Sequence, residues 1–193
     1  MREFKLPYGK EKMVLKVEED HLGGVLVSKI HDYDHGKSGE ELVREAVEKP
    51  IGTPRLKDMA EGKKKIVVIS SDHTRPVPSH IIMPVILEEI RKGNPDAEIT
   101  ILVSTGLHRA TTKEELIGKY GEKICSREKI VVHDCDDGNN LVYIGKLPSG
   151  GKLIINRLVA EADLVVAEGF IEPHFFAGFS GGRKSILPGV ASR

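Results

Sequence analysis

The chain has 193 residues, of which 39% are hydrophobic and 30% charged, so it is long enough to bury a core in one domain. Lysine plus arginine and aspartate plus glutamate each number 29, and this zero formal net charge argues against a general nucleic-acid binder, which usually carries a basic excess. No apolar run is long enough to cross a bilayer, and residues 1–10 show no signal-peptide pattern.

In the first 62 residues, the sequence predicts short strands at 13–18 and 24–28 and short helices at 38–48 and 53–62. The strand segments alternate between apolar and polar residues. Ser38 and Glu41 have the spacing of a capping box, which predicts the start of the first helix. Thr53 followed by Pro54 predicts the second helix start, with proline at the first helical position.

From residue 65 onward, apolar strand segments alternate with helical patterns. Strands are predicted at 65–70, 98–104, 129–133 and 163–168, helices at 79–92, 111–120 and 157–161, and a hairpin at 141–146 with 152–156. The continuous apolar runs are typical of strands covered on both faces. The pattern predicts an α/β, layered Rossmann-like domain with a mostly parallel central sheet and a short N-terminal β segment.

Three polar loops are predicted to follow strands, at 71–78, 105–110 and 172–185. Ligands of open α/β sheets bind just past the carboxyl ends of strands. In the first loop, Asp72 is suited to accept hydrogen bonds from ribose hydroxyls or to orient a histidine, and Thr74 is suited to a phosphate. Arg75 offers a planar cation for a carboxylate or phosphate. The alternative is a capped turn with a surface salt bridge.

In the second loop, Gly106 allows a tight bend, beyond which His108 projects from the strand end. An imidazole titrates near neutrality, so His108 is a candidate to take and return a proton. A solvated or structural histidine is the alternative.

The third loop combines glycines with a basic pair. Gly178, Gly181 and Gly182 allow backbone amides to approach an anion, and we expect the segment to lead into a helix N-terminus. Lys184, beside Arg183, is a candidate nucleophilic amine. The alternative is a mobile glycine loop with a solvated basic pair. A P-loop is excluded, because that motif needs glycine directly before the lysine, where this chain has arginine.

The remaining histidines have no partner at metal-ligand spacing, and we interpret them as surface or structural residues: His21, His31, His35, His80 and His133. Cys125 and Cys135 show no C-x-x-C spacing, so we expect reduced thiols, a cytoplasmic protein and no structural zinc.

Taken together and in this order, the three loops resemble the nickel-dependent lactate racemase family. The matching segments are 72–76, 106–109 and 173–184, of which the last is long and specific. The resemblance covers the whole chain and implies that residues 1–193 are the N-terminal cofactor-binding domain of a two-domain racemase, with the C-terminal domain absent from this chain.

The resemblance also implies roles for individual residues. Lys184 would carry a nickel-pincer pyridinium mononucleotide through a thioamide linkage. His108 and His174 would be the two catalytic proton donor/acceptors. Four residues of the first loop would contact the cofactor, with the arginine facing the substrate carboxylate: Asp72, His73, Thr74 and Arg75. The nickel-ligating histidine would lie beyond Arg193, so no metal ligand is expected within this chain.

The racemisation that the resemblance implies is consistent with the presence of two histidines in these loops. Racemising a 2-hydroxy acid by hydride transfer passes through a planar keto acid, so a proton acceptor is needed for each enantiomer, and two histidines meet that need. The expected partners are a small 2-hydroxy acid, lactate by default, and the missing domain, with no nucleic acid or membrane. The alternatives are a larger 2-hydroxy acid as substrate, or a non-catalytic nucleotide-binding module. A nicotinamide dehydrogenase is disfavoured because no G-x-G-x-x-G follows an early strand.

Overall fold

A computed structural model describes residues 1–174 and 178–193, and every side chain among these except that of His31. The chain divides into two compact units, residues 1–36 and 37–193. The expected short N-terminal β segment is the first unit, an antiparallel hairpin of β1 (Arg2–Tyr8) and β2 (Glu11–Val17). Residues 24–28, predicted as a strand, form none. Their alternation is strand-like, but β2 is already paired with β1 and the segment has no partner in this unit.

In the second unit the six helices of the described ranges are α1 (Gly39–Glu48), α2 (Leu56–Ala60), α3 (Ser79–Gly93), α4 (Lys113–Tyr120), α5 (Glu122–Arg127) and α6 (Arg157–Ala160). The strands are β3 (Lys65–Ser71), β4 (Glu98–Ser104), β5 (Lys129–Val132), β6 (Leu141–Lys146), β7 (Lys152–Asn156), β8 (Leu164–Ala167), β9 (Pro173–His174) and β10 (Gly178–Phe179). No helix in these ranges is long and apolar enough to cross a membrane.

Side-chain caps set the start of two helices. The capping box of Ser38 and Glu41 is present at α1, and Thr112 forms another with Glu115 at α4. The predicted start of α2 at Pro54 is wrong, because the carbonyl of Arg55 accepts the first helical hydrogen bonds. The guanidinium of Arg55 is paired with the buried Glu89 of α3, so a tertiary contact holds the N-terminal end of α2.

Four strands form one parallel sheet in the order β5-β4-β3-β8. The predicted α/β class with a parallel central sheet is therefore confirmed. The hairpin predicted at 141–156 is also present, as antiparallel β6 and β7. Helix α5 was not predicted; its six residues are too short to show a clear helical period.

The sheet is covered on both faces, as the continuous apolar runs predict. Ile66 and Val68 of β3 pack with buried residues of α2 to α5. Val67 and Ile69, which alternate with them, pack on the opposite face with residues of β7, α6 and the segment 190–191. Burial on both faces fixes the register of β3, because a shift of one residue would exchange the two apolar sets.

The strand order places three loops side by side. From β3 the chain adds β4 on one side and, after the hairpin, β8 on the other. The carboxyl ends of β3, β4 and β8 therefore lie at one edge, with a change of winding direction between β3 and β8. Such a switch point opens a crevice for ligands.

The close approach of α2 to α3 requires glycine at position 93. A Cβ atom there would lie 1.8 Å from the carbonyl oxygen of Lys57. We expect Gly93→Ala to lower the free energy of unfolding by about 2 kcal/mol or more, because backbone must move to admit the methyl group. Urea denaturation measures this change.

The matched control is Gly118→Ala in α4, where nothing lies within 4 Å of the added Cβ. Since alanine is the better helix former, this variant should be neutral or more stable by up to about 1 kcal/mol. Equal stabilities of the two variants would contradict the packing argument.

Candidate active site

One cavity of about 350 Å³ lies at the carboxyl edge of the sheet. Residues of all three polar loops line it, together with residues directly after β8. Its ionisable side chains are Asp72, Arg75, His108, Glu168, His174 and Lys184. The structure thus brings together five of the seven site residues predicted from the sequence. Phe175, Phe176 and Ala177 of the third motif lie outside the described residues.

Asp72 and His108 form a hydrogen-bonded pair across two loops. The carboxylate of Asp72 is buried, and its Oδ2 lies 2.6 Å from Nδ1 of His108, a side chain that is 48% exposed. Burial opposes ionisation of Asp72, but hydrogen bonds from Thr74 and His108 keep the pKa of Asp72 below its usual value. Asp72 is therefore ionised at neutral pH and orients the histidine, one of the two roles predicted for it.

The second oxygen of Asp72 is also occupied. Oδ1 accepts hydrogen bonds from the backbone N–H of Thr74, at 3.1 Å, and from the Thr74 hydroxyl, at 2.6 Å. These local bonds hold the loop after β3 in a turn. Thr74, predicted as a cofactor contact, thus acts on Asp72 and does not line the cavity; its direct contact with a ligand stays a prediction.

The loop that carries His108 is tied to the C-terminal segment. Gly106 adopts a positive φ of 54°, and its N–H donates to the carbonyl of Gly189 at 2.9 Å. Thr105 donates from its hydroxyl to the carbonyl of His133 at 2.7 Å. Glycine is the residue that adopts this backbone conformation at least cost, so the bend that precedes His108 depends on position 106.

The loop that carries Lys184 folds back on residues after β8. The Ser180 hydroxyl donates to the carbonyl of Phe170 at 2.5 Å and accepts from the N–H of Glu172 at 3.0 Å. Gly181 has φ of 73°, and a Cβ there would lie 3.0 Å from the Phe170 oxygen. Backbone conformation and space therefore both require glycine here.

We predicted that this loop leads into the N-terminus of a helix, but no regular helix follows it. Residues Gly182–Ser185 form a single 3-10 turn. Pro188 follows shortly after it, and proline disfavours a helical conformation of the residue before it, so the turn does not extend. Lys184 lies in this turn, half-buried, and lines the cavity.

Glu168 is a cavity residue that the sequence analysis missed. It directly follows β8 and is only 5% exposed. Its Oε1 accepts hydrogen bonds from the hydroxyls of Ser70, at 2.5 Å, and Ser79, at 2.6 Å. An acidic residue at the end of an apolar strand was the available signal, but a solvated strand end has the same pattern.

His73 does not line this cavity. Its Nδ1 lies 3.2 Å from the Thr111 hydroxyl, and the residue lines a smaller neighbouring cavity of about 290 Å³ with Arg75 and Lys119. Burial lowers the pKa of Lys119, against the attraction of Glu168 and Asp72. The cofactor contact predicted for His73 is not tested by this placement and stays a prediction.

His133 is a structural residue, as predicted. It is buried and held on both ring nitrogens, since Nε2 donates to the carbonyl of Ala191 and Nδ1 accepts from the Asn156 amide, both at 3.1 Å. Burial lowers its pKa, so the neutral form is favoured. The side chains of His21, His35 and His80 are exposed, and that of His31 lies outside the described part.

Outside the cavity, one group of potential metal ligands occurs in the described ranges. Ligand atoms of Asp134, Cys135 and Asp136 lie within 4.8 Å of one another. The carboxylate of Asp136 is already paired with Arg193 at 2.9 Å, and burial raises the pKa of the Cys135 thiol. Both effects disfavour metal binding there.

Comparison with known proteins agrees with this geometry. The profile of the lactate racemase N-terminal domain matches residues 8–193. The chain belongs to this family. It is 57% identical over 192 residues to a lactate racemase of Thermoanaerobacterium thermosaccharolyticum, covering 100% of this chain and 45% of the relative. It is 54% identical over 187 residues to a lactate racemase of Lactiplantibacillus plantarum, covering 97% and 44%.

Solved structures show the same fold. The lactate racemase apoprotein of T. thermosaccharolyticum superposes with a TM-score of 0.88 at 56% identity, over 99% of this chain and 44% of that one. A Thermotoga maritima protein superposes with a TM-score of 0.61 at 25% identity, over 79% and 37%. This chain therefore spans less than half the length of the curated relatives it matches.

The Asp72 carboxylate should make stability depend on pH. Its pKa is lower in the folded protein than the ordinary value of about 3.9 expected after unfolding. Asp72 therefore stabilises the fold above about pH 4, and this contribution is lost as pH falls through the lowered pKa. We expect the stability difference between wild type and Asp72→Asn to be largest near neutrality and to shrink in acid, measured by urea denaturation across pH.

The control is Asp96→Asn, an exposed aspartate before β4, which should leave the pH dependence unchanged. A difference between wild type and Asp72→Asn that stayed constant from neutral to acid pH would contradict the role assigned to the carboxylate.

Proposed function

We propose that this chain is the cofactor-binding part of a racemase or epimerase of 2-hydroxy acids, with lactate as the default substrate. The observation that carries the proposal is the convergence of three separate loop motifs on one cavity, which is lined by Arg75, His108, His174 and Lys184. A fixed cation, two imidazoles and a primary amine are suited to a carboxylate, to proton transfer and to a covalent tether. The relatives named lactate racemase support the same reaction.

The cavity fits the group that the family resemblance implies, a mononucleotide tethered to Lys184. Its volume of about 350 Å³ is within the range of small-molecule sites. The Lys184 amine lines it, and Glu168 offers a buried carboxylate oxygen that has no partner among the described residues. Lys184 would hold the group covalently. When bound, the nickel-pincer nucleotide supplies a hydride acceptor, which protein side chains lack.

Most ligands of a bound nickel ion would come from groups other than the side chains of this chain. Among the described residues, the cavity contains no group of three histidine, cysteine or carboxylate ligands close enough to hold a metal ion. The resemblance assigns the metal to the tethered nucleotide and to a histidine beyond Arg193. This chain would then contribute the tether and the proton chemistry.

Arg75 is the candidate for binding the substrate carboxylate. Its side chain lines the cavity, and no hydrogen bond or ion pair engages its guanidinium within the described part of the chain. A planar guanidinium binds a carboxylate through two parallel hydrogen bonds. Such a contact would fix the orientation of the carbon that bears the hydroxyl group.

His108 is arranged as a proton acceptor. When its Nδ1–H donates to the ionised Asp72, the neutral ring carries its lone pair on Nε2. The carboxylate also stabilises the imidazolium that forms when the ring takes a proton from a substrate hydroxyl. His174, on β9, lines the same cavity and would serve the other enantiomer, since a racemase needs an acceptor for each.

Lys184 is the decisive residue for the tether. In a chain extended by the part its relatives possess, Lys184→Ala should abolish lactate racemisation, because no other described side chain of the cavity offers a primary amine. Chiral chromatography of lactate measures the loss. Lys152→Ala, at an exposed position of β7, is the control and should retain activity. Racemisation that persists in Lys184→Ala would remove the tether from the proposal.

The two histidines should affect proton transfer and not attachment. We expect His108→Ala and His174→Ala each to slow racemisation by about 100-fold or more. The loss of kcat/KM should be equal whether D- or L-lactate is the substrate, because the equilibrium constant between the two enantiomers is one. Protein mass should still show the attached group. His80→Ala, at an exposed position of α3, is the control. Loss of the attached mass in a histidine variant would instead indicate a structural role.

A further inference from the structure

The carboxylate of Glu168 is a buried group that the proposed reaction does not use. It lies where β8 ends, lines the cavity, and is 5% exposed. Glutamate is rarely buried to this extent unless its oxygens are paired. Its environment therefore indicates what it binds.

A chain of hydroxyl groups fixes one of its two oxygens. Oε1 accepts from Ser70 and from Ser79, and the Tyr120 hydroxyl donates to Ser70 at 2.7 Å. The Ser70 hydroxyl has one proton, which it gives to Glu168, so it accepts from Tyr120 in turn. Burial raises the pKa of Tyr120, which keeps this phenol protonated as a donor.

The other oxygen, Oε2, is buried and has no hydrogen-bond partner among the described residues. Lys119 is near enough to be affected by the charge of Glu168, but its ammonium lies 3.5 Å from the Ser71 hydroxyl and makes no ion pair with the carboxylate. Asp72, the other carboxylate of the cavity, has both oxygens occupied by Thr74 and His108. A buried acceptor without a donor is costly, and such groups are rare in native proteins.

The chemistry of the expected occupant shows which group could supply the missing donor. The phosphate and the ring substituent of a pyridine mononucleotide are hydrogen-bond acceptors, so they cannot supply a donor to a carboxylate. Its hydroxyl donors are on the ribose. A carboxylate is the acceptor that forms the stronger, charge-assisted bonds with such hydroxyls.

We propose that Glu168 is a cofactor-binding residue that accepts a hydrogen bond through Oε2 from a ribose hydroxyl of the mononucleotide. The inference rests on the proposed function, in that the occupant is a nucleotide. Ser70 and Ser79 are positioning residues, which hold Oε1 so that the second oxygen is left for the ligand.

The test compares two probes on the unmodified chain by titration calorimetry: nicotinic acid mononucleotide and its 2′,3′-dideoxyribose analogue. Wild type should bind the hydroxylated probe at least about tenfold more tightly, the usual effect of a hydrogen bond to a charged group. Glu168→Gln, which keeps the shape and can still accept from both serines, should lose most of that preference. Glu98→Gln, at an exposed position of β4, makes the same substitution away from the cavity and should keep the preference.

The outcomes separate the two proposals. Equal affinities of wild type for the two probes, or an undiminished preference in Glu168→Gln, would overturn the role of Glu168 and leave the proposed function standing. Failure of wild type to bind either probe would overturn both the nucleotide and the contact. Circular dichroism establishes that Glu168→Gln is folded. If it is not, equal affinities of wild type for the two probes would still overturn the contact.

Discussion

The parallel pairing of β3 with β4 on one side and β8 on the other is the constraint on which the site depends. It places three strand ends, and the loops that follow them, at one edge of the sheet. Asp72, His108 and Glu168, distant in the sequence, become neighbours because each follows one of these strands. Both faces of β3 are buried, and this burial fixes the register of the pairing. The register in turn fixes where each loop begins at the edge of the sheet.

The two buried carboxylates of the cavity, Asp72 and Glu168, differ in how many of their oxygens accept hydrogen bonds. Asp72 accepts hydrogen bonds on both oxygens, from Thr74 on one and from His108 on the other, so it orients a catalytic candidate. Glu168 is held by serine hydroxyls on one oxygen only, and its second oxygen has no partner in the described part of the chain. A carboxylate oxygen that accepts from a neighbour positions that neighbour, whereas a buried oxygen without a partner is available to a ligand.

Much of the fold was predictable, because apolar period and caps are local signals. The runs at β3 and β4 and the capping box at Ser38 sufficed for the α/β class and for α1. Residues 24–28 were misassigned because alternation does not reveal whether a pairing partner exists. The start of α2 was misplaced because the ion pair of Arg55 with Glu89 joins residues 34 positions apart, which no local pattern shows.

The site was predictable where a motif concentrates unusual residues, as around Lys184, and less so where one residue acts through a distant one. Asp72 could be assigned two roles from sequence; the fold brings His108 to 2.6 Å and so supports the role of orienting a histidine, while its contact with the cofactor stays a prediction. Glu168 was missed because its partners, Ser70 and Ser79, come from other elements. His73 and Thr74 stand beside cavity residues in the sequence but do not line the cavity, and their contact with a cofactor stays a prediction.

The central claim is that these loops build a cavity for a nucleotide attached to Lys184, and protein mass tests it most directly. The chain would be purified from a nickel-replete host that makes the cofactor, and its intact mass and tryptic peptides measured. The account predicts an added mass confined to the peptide that contains Lys184. An unmodified chain from that host, or an adduct on another residue, would contradict it.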